Sequence, residues 1–214
     1  METLPNRGLI SGRRDVLSYD PLRLASAGRA LAAAGDESIA LARLGVGEVA
    51  GRGTLSRTRP IVSWASKAVV VTDEAGAFAR LFDPALDDDT IVLTGRPPLP
   101  PPEGSPDTTR LEVVEARPGR YLIDIARDRP GFLRVLESAY PGWSAVVDGR
   151  PAALMTADGL FLGVPLSAGR HVVLLEYRPW SFAIGVAVSA AAWAVVGIAL
   201  VRRLVAPGRA GPRL

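Results

Sequence analysis

The spacing of apolar residues changes character along the chain. From Pro21 the segment PLRLASAGRALAAA sets Leu22, Leu24, Ala27, Leu31 and Ala34 roughly along one helical stripe. Asp20 is its candidate N-cap, Pro21 suits the first turn, and Gly35 is the stop. A second helical piece, residues 37 to 44, gives way at Gly45 to a short apolar strand, VGEVAG. SKAVVVT (66–72) is a β-branched strand, and DEAGAFARLFD after it reads as a helix with Asp73 and Glu74 in the first turn, where the helix dipole favours them. TIVLTG (90–95) is a further strand, so residues 1–96 predict a small α/β unit behind an irregular lead-in over residues 1–20. Beyond residue 107 the period shortens. LEVVEA, RYLIDIA, FLRVLESA, SAVVDG, RPAALMT, GLFLGVPL and HVVLLEYR are separated by Pro118-Gly119, Pro130-Gly131, Pro141-Gly142, Asp148-Gly149, Asp158-Gly159 and Ala168-Gly169. Seven short runs with regular turn signals predict an antiparallel β-sandwich over 107–179, with Asp148-Gly149 the strongest hairpin signal.

The last change is to FAIGVAVSAAAWAVVGIALV, Phe182 to Val201, without a charge. At about 1.5 Å per residue it is long enough for the hydrocarbon core of a bilayer, the alternative being a central helix of a soluble core. Arg202, Arg203, Arg209 and Arg213 follow with no acidic residue, so the positive-inside rule expects a cytoplasmic C-terminus and an extracytoplasmic body, with Trp180 at headgroup level. Small residues recur at i, i+4 in Ala183, Ala187 and Ala191 and in Gly185 and Ser189, which would permit close packing on other membrane helices. METLPNRGLISGRRDV has no apolar stretch of the kind an export signal requires, so the expectation is that other helices, of the same protein or of a companion chain, bring this one to the membrane.

The fold class expected is therefore α+β with a membrane helix. Its parts are a small α/β unit (1–96), a proline-rich linker (97–106), an antiparallel β-sandwich (107–179), a transmembrane helix (180–203) and a basic cytoplasmic tail (204–214). The linker, PPLPPPEGSP, is six-tenths proline and suits a semi-rigid polyproline spacer.

Composition narrows the chemistry. The chain has 25 basic and 22 acidic residues, but the four tail arginines supply the excess, so the remainder is close to neutral and carries no nucleic-acid footprint. With no cysteine there is neither a disulfide framework nor thiolate chemistry, and with one histidine a zinc site would need mostly carboxylates. No metal site and no cofactor is expected.

Candidate sites are few. Gly45-Val46-Gly47 has the letters of a dinucleotide loop but lies between a helix and a strand, the reverse of the required order. Asp87-Asp88-Asp89 lacks the glycine-spaced loop of a calcium site. His171 is the one imidazole available to a nucleophile, with no Gly-x-Ser-x-Gly turn to match, and suits a strand end with a satisfied ring nitrogen. Tyr140 and Trp143 in YPGW either stack on a sugar face or fill and cap the sandwich core. Asp124, Asp128, Glu137 and Asp148 show no acid/base spacing. No catalytic residue is assigned, and the binding residues are left unknown.

Residues 138–178, with YPGW, VDG and GRHVVLLEYRP in order, resemble the C-terminal extracytoplasmic segment of YfhO-type bacterial membrane proteins, and the helix after them resembles that family's last membrane span. LPNRGLISGRRDVLSYDPLRL, ALARLGVGEVAG and FARLFDPALDDDTIVLTG resemble further family segments, although Ser18 stands where a glycine is usual and Gly47-Glu48 replace a basic-aromatic pair. The resemblance implies part of a polytopic membrane protein grouped with lipid-linked-sugar glycosyltransferases, whose acidic catalytic residues are expected on an early extracytoplasmic loop that no position here matches. Its implied partners are the lipid bilayer, other transmembrane helices, and a polyprenyl-phosphate sugar or cell-wall glycan. The alternative is a non-enzymatic, membrane-tethered glycan-binding or scaffolding domain.

Overall fold

The computed structural model describes residues 25–35, 37–49, 53–95 and 110–205. Asp20 and Pro21, the irregular lead-in, the proline-rich linker and the end of the basic tail lie outside the described residues. Three layers make up the body. The first is a five-stranded sheet in the order β10 (Arg150–Ala152), β9 (Trp143–Val147), β13 (Gly169–Tyr177), β7 (Arg120–Arg127) and β6 (Arg110–Arg117), antiparallel throughout. The second is a six-stranded mixed sheet in the order β3 (Val62–Ala65), β8 (Gly131–Ser138), β12 (Phe161–Leu166), β11 (Met155–Ala157), β5 (Thr90–Thr94) and β4 (Lys67–Val71). The third holds the helices α1 (Ala25–Ala34), α2 (Ser38–Arg43) and α3 (Glu74–Leu81). A separate two-stranded ribbon pairs β1 (Glu48–Val49) with β2 (Gly53–Thr54), and α4 (Trp180–Val205) leaves the body from the end of β13.

Alternation builds the first layer. In β7, Tyr121, Ile123 and Ile125 point inward while Arg120, Leu122 and Asp124 point out, so one face is dry and one is wet. The inward set meets Leu133, Val135, Leu162, Val164 and Leu166 of β8 and β12 to form the core between the sheets. The other face of β8 and β12, with Phe132 and Phe161, packs on Leu41, Phe78 and Leu81 of the helices. Because the middle sheet is covered on both sides, β8 is buried over Gly131–Val135 and does not alternate.

Two expectations change. Residues 1–96 and 107–179 are not separate units in the described fold, because β3, β4 and β5 hydrogen-bond into the sheet that carries β8, β11 and β12. The α/β character of the first half survives locally: β4 and β5 are parallel and joined through α3, with Asp73 capping that helix by accepting from the Gly76 N–H at 2.7 Å. RPAALMT is two strands, since β10 belongs to one sheet and β11 to the other. Leu154 sits at the crossing and turns its side chain into the core between the sheets. The Asp148-Gly149 hairpin forms as expected, with Val147 opposite Arg150 and both turn residues at positive φ, 52° and 77°, as a type I′ turn requires.

Between the middle sheet and the helices lies a polar cluster. Arg134 of β8 and Asp158 of the β11–β12 turn are fully buried and paired at 2.8 Å. Asp158 also accepts from Arg59 at 2.9 Å and from the Val92 N–H at 2.8 Å. Arg43, at the end of α2, donates to the carbonyls of Leu81, Asp83 and Leu86, which satisfies groups at and beyond the C-terminus of α3. Burial, then the neighbouring Arg134 charge, lowers the Arg59 pKa to about 10, with Asp158 pulling the other way. The unfolded chain therefore binds the Arg59 proton more tightly, and holding this cation in the fold costs stability at neutral pH until the pH rises through that value.

Among the described residues Asp158 is thus the one buried carboxylate, and it lies between two guanidiniums. Asp158→Ala should lower unfolding free energy by about 3–5 kcal/mol, because it leaves two buried cations without compensation. Arg59→Met, which keeps the Arg134 pair and relieves the like-charge contact, should cost less than half of that. Denaturant midpoints of the full chain in detergent test the order, and an equal or larger loss for Arg59→Met would contradict it.

Candidate functional site: the junction of the sandwich and the apolar helix

From Phe182 to Val201 α4 carries no charge, and the body buries none of that surface. Its stretch Trp180–Arg202 is long and apolar enough to cross a membrane, and none of it is buried in the fold. Phe182, Ile184, Val188, Val196, Ile198 and Val201, spread around the helix, are all more than half exposed. A helix apolar on every face is stable in hydrocarbon and not in water. At about 1.5 Å per residue the stretch is roughly 35 Å long, enough for the bilayer core with some tilt.

The chain does not pass loosely from β13 into this helix. The Tyr177 N–H donates to the Gly119 carbonyl at 2.8 Å, and the Arg178 N–H donates to the Gly142 carbonyl at 2.7 Å. The β6–β7 hairpin turn at residues 118–119 and the β8–β9 connection between the two sheets at residues 140–143 thereby both hold the exit strand. Gly142 is required there: its φ is 119°, and a Cβ at this position would lie 3.0 Å from Pro179 Cα and 3.0 Å from Tyr177 Cε2. Trp143, one residue on, packs between Tyr121 and Tyr177, with ring centroids 6.3 and 5.4 Å away. Tyr121 in turn donates its hydroxyl proton to Glu137. YPGW is therefore a buttress under the strand-to-helix exit. Trp143 is half-buried and packs against the sandwich core, whereas Tyr140 is 51% exposed.

The other candidates separate. Gly45 ends α2 in a Schellman motif, its N–H donating to the Ala42 carbonyl and the Val46 N–H to the Leu41 carbonyl, each at 3.0 Å, which accounts for the glycine without a nucleotide. The three consecutive aspartates diverge: Asp87 to Lys67 at 2.6 Å, Asp88 toward Arg43 at 3.5 Å, and Asp89 to the Ser66 backbone and hydroxyl. Among the described residues no cluster of three or more His, Asp or Glu is placed to hold a metal. Asp124 pairs with Arg170 on the outer face of the first sheet, and that guanidinium holds its carboxyl below the usual range. Asp124, Glu137 and Asp148 each have a different partner and form no acid/base pair.

His171 has gained neighbours that sequence reading missed. Its Nδ1 lies 2.7 Å from Asp148 and its Nε2 3.1 Å from the Ser167 hydroxyl. Hydrogen bonding from His171, then from the Val172 N–H, lowers the Asp148 pKa. The order resembles a hydrolase triad, but Nε2 is also 3.2 Å from the carbonyl of Ser167 itself, and the serine stands exposed on a turn. The imidazole clips the β9–β10 turn to the β12–β13 turn at the end of the sandwich farthest along β13 from α4. No sequence spacing flags this, since Asp148 and His171 meet only through the β9–β13 pairing.

The buttress yields a mutational expectation. Gly142→Ala should cost about 1–3 kcal/mol from strain and contact with Pro179. Gly149→Ala, also at positive φ but with nothing within 4 Å of the added carbon, should cost about 1 kcal/mol. Thermal unfolding of the two full-length variants is the measurement, and equal losses would mean that the turn does not brace the exit strand.

No curated protein and no solved structure matches the chain. One family model does, over a segment that contains the buttress, the hairpin, the His171 clip and the first turns of the apolar helix. Residues 138–189 match the family described as bacterial membrane protein YfhO, so over that segment the chain is similar to YfhO, and α4 is read as a membrane helix.

Proposed function

We propose that this chain is the C-terminal extracytoplasmic module and final membrane helix of a YfhO-like polytopic protein that serves lipid-linked sugar transfer to cell-envelope glycans. The observation that carries this reading is continuity: the segment similar to YfhO runs from the buttress through β13 and directly into α4, so body and membrane helix belong to one unit. The orientation is supported by Arg202, Arg203, Arg209 and Arg213, which favour a cytoplasmic C-terminus and, with it, an extracytoplasmic body. In that position the body covers the membrane surface beside other helices of the assembly, where it can shelter a polyprenyl-phosphate sugar or hold the acceptor glycan. The sugar-transfer chemistry is assigned to those other parts, a reading supported by Asp124, Asp148 and Asp158 each being engaged in a separate structural pair.

The second reading, a non-enzymatic membrane-tethered domain, is supported in its scaffolding form by the contacts of Trp143 with the core and with the Tyr177 ring, which give this residue a structural role at the exit strand.

With no native cysteine, single-cysteine labelling is direct. A membrane-impermeant maleimide added to intact cells should label Ser144→Cys, and should reach Gly208→Cys only after permeabilisation; the reverse pattern would overturn the orientation. The purified chain should transfer no sugar from a polyprenyl-phosphate donor, and turnover would overturn the accessory role.

A further inference from the structure

The strand ends nearest α4 form a charged row. Registers place Trp143 opposite Tyr177, Glu176 opposite Arg120, and Arg120 opposite Arg117, so β9, β13, β7 and β6 all end or begin at one level. Only three peptide units, through Arg178 and Pro179, separate Tyr177 from Trp180, the first residue of α4. Fully extended they span about 10 Å, so the whole row lies near the height at which the helix enters hydrocarbon.

Charge alternates along this row. Arg117 pairs with Glu115 at 3.1 Å, Arg120 bridges Glu115 at 3.4 Å and Glu176, and Arg178 pairs with Glu176 at 2.9 Å. Three guanidiniums thus share two carboxylates. The carboxylate side chains are recessed, 23% and 20% exposed, whereas the end members Arg117 and Arg178 are 76% and 78% exposed. A guanidinium has five N–H donors, so each end arginine keeps donors beyond those its carboxylate can accept. The outermost groups of the row are therefore cations with donor forks suited to phosphate oxygens. Trp180, 82% exposed, follows Arg178 by two residues, and Tyr140, 51% exposed, lies two residues before the Gly142 that holds Arg178; both are ring types that favour the headgroup level.

We propose that this edge of the sandwich is a docking surface for anionic phospholipid headgroups of the leaflet in which α4 begins, with Arg117 and Arg178 each holding a lipid phosphate. The inference rests on α4 being a membrane helix. The lipid is chosen as occupant because the helix start brings that leaflet's phosphates to the level of the row, and because the positive excess faces outward there. Docking would fix the tilt of the body, since the braced exit strand couples the row to α4.

The test is hydrogen exchange of the full chain in nanodiscs. Replacing about 30 mol% of phosphatidylcholine by phosphatidylglycerol should slow exchange of 115–121 and 140–144 at least about threefold, given an attraction worth about fivefold in affinity per arginine. The protection should vanish in 1 M NaCl, where the screening length is about 3 Å, and in the exposed-site variant Arg117→Gln/Arg178→Gln. Equal exchange in both lipids, or protection that survives the double variant, would overturn the proposal while leaving the membrane helix intact. Equal protection by inorganic phosphate added to pure phosphatidylcholine discs would overturn the lipid as occupant. Loss of the chain from nanodiscs would instead overturn the membrane reading itself.

Discussion

A helix that is apolar on every side has one solvent in which it is stable, and α4 follows β13 so closely that the rest of the chain must accommodate that solvent. None of Trp180–Arg202 is buried by the body, so the fold offers this surface no internal partner. The bilayer supplies it, and the body is then confined to the water side within a few residues of the interface. The exit is built for that. Tyr177 and Arg178 are held through their backbone N–H groups by two turns, and the glycine of YPGW lets its turn approach Pro179 to a distance a side chain would not permit.

Above the membrane the body depends on a sheet that is covered twice. β8 and β12 give one face to the first sheet and the other to the helices, and such strands earn their stability from burial on both sides. The cost is that polar groups trapped on the helix side need partners. Arg134 and Arg59 converge on Asp158, and Arg43 takes the loose carbonyls beyond α3, so three arginines become the polar framework of the inner core. This framework ties Arg43 and Arg59, which precede the proline-rich stretch, to Arg134 and Asp158, which follow it.

How much of this could be read from sequence follows from which residues alternate. β7 and β13 alternate between buried and more exposed positions, and the turns before β7 and after β9 carry Pro-Gly and Asp-Gly, so the sandwich and its edge hairpin were legible. β8 was legible as a strand but not as a middle one, because a continuous apolar run does not say what covers each face. β3, only four residues long, went unseen, and RPAALMT ran together two strands because nothing in its letters marks Leu154 as the crossing between sheets. Arginines dominate the basic residues of this chain, so Arg43, Arg59 and Arg134 looked like ordinary surface charges; their burial is decided by contacts across 16 to 99 positions of sequence. At the junction, YPGW was conspicuous, but its role as a buttress emerges only once Gly142 is seen against Pro179.

The central claim is that α4 lies in lipid along its length while the body stays at the surface. Single cysteines carried along 180–202 in the otherwise cysteine-free chain, spin-labelled in vesicles, report this through accessibility to oxygen against a water-soluble nickel chelate. The account predicts a depth that is greatest near Ala191, the middle of the stretch, and falls symmetrically toward Trp180 and Arg202. Uniform access to the nickel chelate, or a one-sided pattern with immobilised labels on a helix face buried against protein in water, would contradict it.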